Sequence, residues 1–171
     1  MKNKLIFLIL VVLSTGCYAQ NKYLEGLSKV NGEQFQITYS GPDNDFIVVY
    51  NVKSKYSKRV TASDNPRAQL VKREDFHFDK PAVKAIIQQV LKTKKQKLDQ
   101  NEDFVHIEFV FEPSGKLADI SYGVEKRTLI SLDDLAEIDA RLRKSINATF
   151  TGNAFKDYKF LSYSYGTIRF K

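Results

Sequence analysis

The sequence predicts an α+β fold: an antiparallel sheet packed by two amphipathic helices, with an N-terminal β-hairpin extension. Three observations carry this expectation. Residues 105–124 hold two alternating strands around a Pro-Ser-Gly turn. Residues 80–91 and 131–146 carry apolar side chains at helical spacing. A further pair of strand-like runs lies upstream, at 34–52.

In the upstream pair, Phe35, Ile37 and Tyr39 share one face of the first run. Gly41, Pro42, Asp43 and Asn44 supply turn chemistry, and residues 46–52 form a return strand apolar on both faces. Residues 53–67 are polar and basic with an Asn65-Pro66 step, which predicts a loop; 68–71 are expected as a short strand.

Asp79 is placed to cap a helix starting near Lys80. Pro81 sits in its first turn, where a missing N–H costs little. Val83, Ile86, Ile87, Val90 and Leu91 make its apolar stripe, which Leu98 extends until Gln100-Asn101. Val105, Ile107, Phe109 and Phe111 then alternate with His106, Glu108, Val110 and Glu112. After the turn at 113–115, Ala118, Ile120, Tyr122 and Val124 share a face.

Ser131 opens the second helix, with Asp134 in the capping-box position. Its stripe is Leu132, Leu135, Ile138, Leu142 and Ile146. Early acids and late bases complement the helix dipole. The last strand spans 160–170. Leu161, Tyr163 and Tyr165 share one parity and Ile168 and Phe170 the other, so a β-bulge is expected at Gly166.

Residues 1–19 read as a secretory signal peptide. Lys2 and Lys4 precede an apolar run at 5–13, and small residues follow. As a helix the run spans about 14 Å against a hydrocarbon core of about 30 Å, too short to cross. The small-x-Ala pattern of Cys17-Tyr18-Ala19 predicts cleavage before Gln20. Gly16-Cys17 also resembles the end of a lipobox, the alternative in which Cys17 is lipidated and the protein sits at the outer membrane. Export to the periplasm or beyond is expected either way. The expected organisation is 1–19 signal, 20–75 hairpin and basic loop, and 76–171 the main α/β domain.

Of 171 residues, one is cysteine and two are histidine. No disulfide can form within the chain, and structural zinc is implausible. The formal charge of +7 falls to +5 if Lys2 and Lys4 leave with the signal. Bases crowd 53–73 and 84–97, whereas 102–139 is mostly acidic. For an exported chain this favours anionic envelope material over nucleic acid, or a solvated face.

Catalytic motifs are absent: there is no G-x-S-x-G, no H-E-x-x-H and no phosphate-binding glycine loop. His106 and Glu108 share a strand face but show no third ligand. His77, between two phenylalanines, reads as a packing residue. No enzyme activity, cofactor or metal is expected. Tyr158, Phe160, Tyr163 and Tyr165 could line a carbohydrate surface or simply be half-exposed strand residues.

The hairpin VHIEFVFEPSGKLADISYGV, the helix SLDDLAEIDARLRKSINATFTGNA and the ending YGTIRF together resemble the TonB C-terminal domain family over residues 81–170. That resemblance implies a small α/β module whose last strand pairs with a segment of another envelope protein. The matching element here is 161–170, with Leu161, Tyr163, Tyr165, Gly166, Thr167 and Arg169 as the expected partner-binding residues. The four prolines provide no long spacer, so a stationary interaction module is expected rather than an energy transducer. The alternative is a protein that binds a glycan or anionic envelope polymer through the terminal tyrosines and the basic loop.

Overall fold

The computed structural model describes residues 23–54, 62, 63, 65 and 68–170. The expected signal stretch, Cys17 and most of the basic loop lie outside the described residues.

The long strands follow from their alternation. β1 (Gly26–Val30), β2 (Glu33–Ser40) and β3 (Phe46–Asn51) form an antiparallel meander. After β4 (Phe76–His77) come α1 (Lys80–Val90) and α2 (Lys95–Gln100). β5 (Phe104–Phe111) and β6 (Leu117–Glu125) make the central hairpin. α3 (Leu132–Ser145), β7 (Thr149–Phe150) and β8 (Leu161–Arg169) complete the described chain. The six-stranded sheet runs β1-β2-β3-β6-β5-β8, while β4 and β7 pair separately.

The N-terminal strands join the main sheet through β3 and β6, with Ile47 opposite Val124 and Val49 opposite Tyr122. Both strands of that junction were legible in the sequence, β3 as a continuous apolar run and β6 by apolar residues on one face. Their partner choice was not, because strand pairing is non-local. The expected hairpin proves to be a three-stranded meander. Asn31 (φ 51°) and Gly32 (φ 81°) form a two-residue turn between β1 and β2. Positive φ at both positions suits the strand twist, and Asn-Gly is the sequence signal for it.

Two other expectations need correction. Residues 68–71 form no strand: Leu70 stands exposed, and the Gln69 carbonyl instead accepts a hydrogen bond from the Tyr158 hydroxyl. The first helix does not continue to Leu98. It stops at Val90, a 3₁₀ turn follows at Lys92–Lys94, and α2 brings Leu98 into the core at a new angle.

The helix starts follow the expected chemistry. Asp79 accepts a hydrogen bond from the Ala82 N–H at 2.8 Å. Ser131 and Asp134 form the reciprocal capping box: Ser131 N–H donates to Asp134 at 2.7 Å, and Asp134 N–H donates to Ser131 Oγ at 3.2 Å. Val83 and Ile87 of α1, and Leu135, Ile138 and Leu142 of α3, cover one face of the sheet over Ile107, Phe109, Phe111, Ile120 and Tyr122. Each fully buried Phe contributes about 1.5–3 kcal/mol by removal from water. The stripe residue Leu132 is only half-buried.

Asp139 is one of the acids of α3. It is buried on α3, where Arg143 Nε donates to it at 2.6 Å and the Tyr122 hydroxyl donates at 3.4 Å. Arg143 also donates to the Ala118 carbonyl, tying α3 to β6. Burial raises the Asp139 carboxyl above the usual aspartate range, although Arg143 opposes the shift.

Candidate functional site

An antiparallel sheet leaves two outer strands with backbone groups on one side unpaired. Here they are β1 and β8. β8 pairs with β5 on one side only, with Phe109 opposite Tyr163 and Val105 opposite Ile168. Ile107 faces Gly166 while Glu108 faces Ser164, so Tyr165 is the extra residue of a bulge. Gly166 has φ 104°, where an L side chain would be strained. The bulge returns alternate apolar residues to the core on both sides of it, as the parity switch in the sequence required.

The bulge also decides which expected site residues face a partner. Leu161 and Tyr163 are buried on the helix-covered face. Their side chains belong to the core. Tyr165 is half-buried, and its hydroxyl donates to the Lys80 carbonyl at 2.9 Å. Thr167 and Arg169 project to the helix-free face. Thr167 Oγ1 lies 3.2 Å from His106 Nδ1, and the Arg169 guanidinium lies 5.4 Å from the Phe104 ring centroid. Ser162 and Ser164, not among the expected residues, are exposed on this face. Their polar alternation with Leu161 and Tyr163 was the signal for them.

The terminal tyrosines do not form an exposed carbohydrate platform. Tyr163 is 4 % exposed, and its ring packs 5.1 Å from both Phe76 and Phe78. His106 stands 3.9 Å from Glu108, while His77 meets Thr151 at 3.4 Å. Among the described residues no three metal-ligating side chains come together. None of the described helices is long and apolar enough to cross a membrane.

The structure gathers one cluster that the sequence kept apart. Arg73 Nε donates to the Tyr163 hydroxyl at 3.2 Å across ninety residues. The Arg73 guanidinium lies 5.1 Å from the Tyr163 ring centroid, and the Lys80 ammonium 5.2 Å from it. Burial pushes the Tyr163 phenol up, but Lys80 and Arg73 outweigh that and hold it below the usual tyrosine value. No local motif announces this arrangement, since its members come from three separate elements.

The overall fold is similar to the crystal structure of a DUF5043 family protein from Bacteroides uniformis ATCC 8492. The TM-score is 0.68 and the sequence identity 14 %, over 88 % of each chain. At that identity the likeness shows the fold alone, which in this chain is a mixed α+β architecture with a six-stranded antiparallel sheet and three helices. No protein-family model and no curated protein matches the sequence.

Proposed function

We propose that this chain is an exported, non-enzymatic interaction module of the bacterial envelope, TonB-C-like in its C-terminal half, which binds another envelope protein by accepting a strand at β8. The observation that carries this reading is the position of β8. It pairs with β5 on one side, lies at the sheet edge, and exposes Ser162, Ser164, Thr167 and Arg169. An extended segment laid against it would gain main-chain hydrogen bonds and take its specificity from alternate side chains. The resemblance of YGTIRF to the closing strand of the TonB C-terminal family supports the same element. The bulge divides the edge, so pairing is expected over the regular run 161–164 ahead of it.

The test is affinity capture from envelope extract with Ser162→Lys/Ser164→Lys against the parent chain. Both serines are exposed, so the fold should persist, while edge lysines oppose strand pairing. The expected result is loss of the captured protein with an unchanged thermal midpoint. Capture that survives the double substitution would refute strand addition at β8. Protection of β1 amides on binding would redirect the reading to the opposite edge, where Leu27 stands 67 % exposed. Capture of an anionic polysaccharide, weakening with salt, would favour the polymer-binding alternative.

A further inference from the structure

Two cations beside one hydroxyl need an explanation. Arg73 and Lys80 both sit against the Tyr163 ring, at 5.1 Å and 5.2 Å from its centroid, and Lys80 lies 5.7 Å from the Phe78 centroid as well. Cation–π attraction holds each side chain in place, but the two charges repel one another. Neither forms an ion pair with a carboxylate among the described residues.

Two neighbouring acids are engaged elsewhere. Asp75 accepts from the Lys72 N–H and from the Thr151 hydroxyl. Asp79 caps α1 through the Ala82 N–H. His77 turns toward Thr151, and the Tyr165 hydroxyl is spent on the Lys80 carbonyl. Meanwhile the Tyr163 ring is locked between Phe76 and Phe78, which fixes its hydroxyl; the oxygen accepts from Arg73 Nε, and the O–H can donate to a ligand.

We propose that Arg73, Lys80 and the Tyr163 hydroxyl form a binding site for an oxyanion, presented either by free phosphate or by an acidic side chain of a docked polypeptide. The guanidinium supplies a planar pair of donors, the ammonium a point charge, and the phenol a third donor. The aromatic wall of Phe76, Phe78 and Tyr163 excludes water from one side and strengthens all three contacts. An oxyanion there also relieves the repulsion between the two cations. The site does not require strand addition. Because Tyr163 belongs to β8, it nonetheless lies where the side chain of an added strand can reach.

The test is a titration of the full chain with inorganic phosphate and, separately, with hexaglutamate, followed by the NMR signals of the Arg73 side-chain Nε–H and the β8 amides. Sodium chloride at matched ionic strength is the control. Saturable shifts at Arg73 and the β8 amides are expected, and the affinity read from the β8 amides should fall at least about tenfold in Arg73→Ala/Lys80→Ala. Both residues are exposed, so the double variant should keep its fold, which its thermal midpoint checks. Tyr163→Phe should weaken binding while leaving the cations in place. Phosphate binding without hexaglutamate binding identifies a free anion as the ligand. Hexaglutamate binding with protection of β8 amides identifies an acidic strand. Shifts reproduced by chloride, no saturable shift with either probe, or affinity unchanged within about twofold in the double variant would overturn the site.

Discussion

Gly115 closes the β5–β6 turn with φ 89°, and its carbonyl accepts a hydrogen bond from the Ala148 N–H at 2.8 Å. A Cβ on this residue would collide with the Ala148 carbonyl oxygen, a backbone atom that no rotamer change can move. Gly115→Ala therefore carries three costs. The left-handed backbone costs an L residue about 1–2 kcal/mol. Displacing the 147–148 backbone gives up a hydrogen bond worth about 1 kcal/mol. It also strains the isolated bridge between Lys116 and Asn147, and Ala148 is buried, so its freed N–H has no ready replacement. The smaller entropy of the unfolded alanine chain returns about 0.4–1 kcal/mol.

The net expectation is destabilisation of about 2–4 kcal/mol, a drop of about 4–16 °C in Tm for a chain of this size. Urea unfolding and calorimetry of the two proteins measure it. Gly152→Ala is the control: φ is 74° there, but nothing lies within 4 Å of the added methyl, so only the conformational cost of about 1–2 kcal/mol applies, less the same unfolded-state gain. If Gly115→Ala lies within about 0.5 kcal/mol of Gly152→Ala, the close approach of the turn to Ala148 is not as described.

Asp139→Ala should destabilise by about 2–3 kcal/mol in urea, because Arg143 and Tyr122 lose their shared acceptor. That is less than for a fully buried pair, since the Arg143 side chain keeps 28 % exposure. The raised Asp139 carboxyl means that the folded state holds its proton more tightly than the unfolded state. Its contribution to stability is thus greatest at low pH and declines as pH rises from the ordinary aspartate range through the raised folded value. Asp139→Asn should flatten that part of the stability–pH profile; an unchanged slope would reject the assignment. Ser131→Ala should cost about 1 kcal/mol in the same unfolding assay by removing the acceptor for the Asp134 N–H at the start of α3. In Lys80→Ala, an ultraviolet pH titration should show the Tyr163 phenol moving up toward the ordinary tyrosine range, as one of the two cations that stabilise the phenolate is gone.

The local elements were legible because their signals are local. The stripe from Val83 to Leu91, the box at Ser131 and Asp134, and the alternation of 105–111 each depend on residues a few positions apart. The bulge at Gly166 was legible for the same reason: a one-residue change of parity has one cheap solution in a strand with one buried face. The Asn31-Gly32 turn was equally present in the sequence, though β1 around it has only weak alternation. Its edge position leaves Leu27 outside the core.

The candidate site was half legible. That 161–170 is a strand, and which residues alternate along it, could be read directly. That Leu161 and Tyr163 are core, while Ser162 and Ser164 are surface, was signalled by the same alternation; which helices cover that face was not.

By itself, then, the sequence determined β2, β3, β5, β6 and β8, the helix caps and the two longer helices, but not β1, β4, β7 or the break before α2, since hydrophobic period and backbone preference act over one or two turns of chain. Only the tertiary structure decided that β3 joins β6, leaving β1 and β8 as the two edges. The same step buried Asp139 against Tyr122 and brought Arg73 to Tyr163. Those contacts link residues far apart in the chain. They are fixed by how the apolar faces close on one another, which no short window of sequence contains.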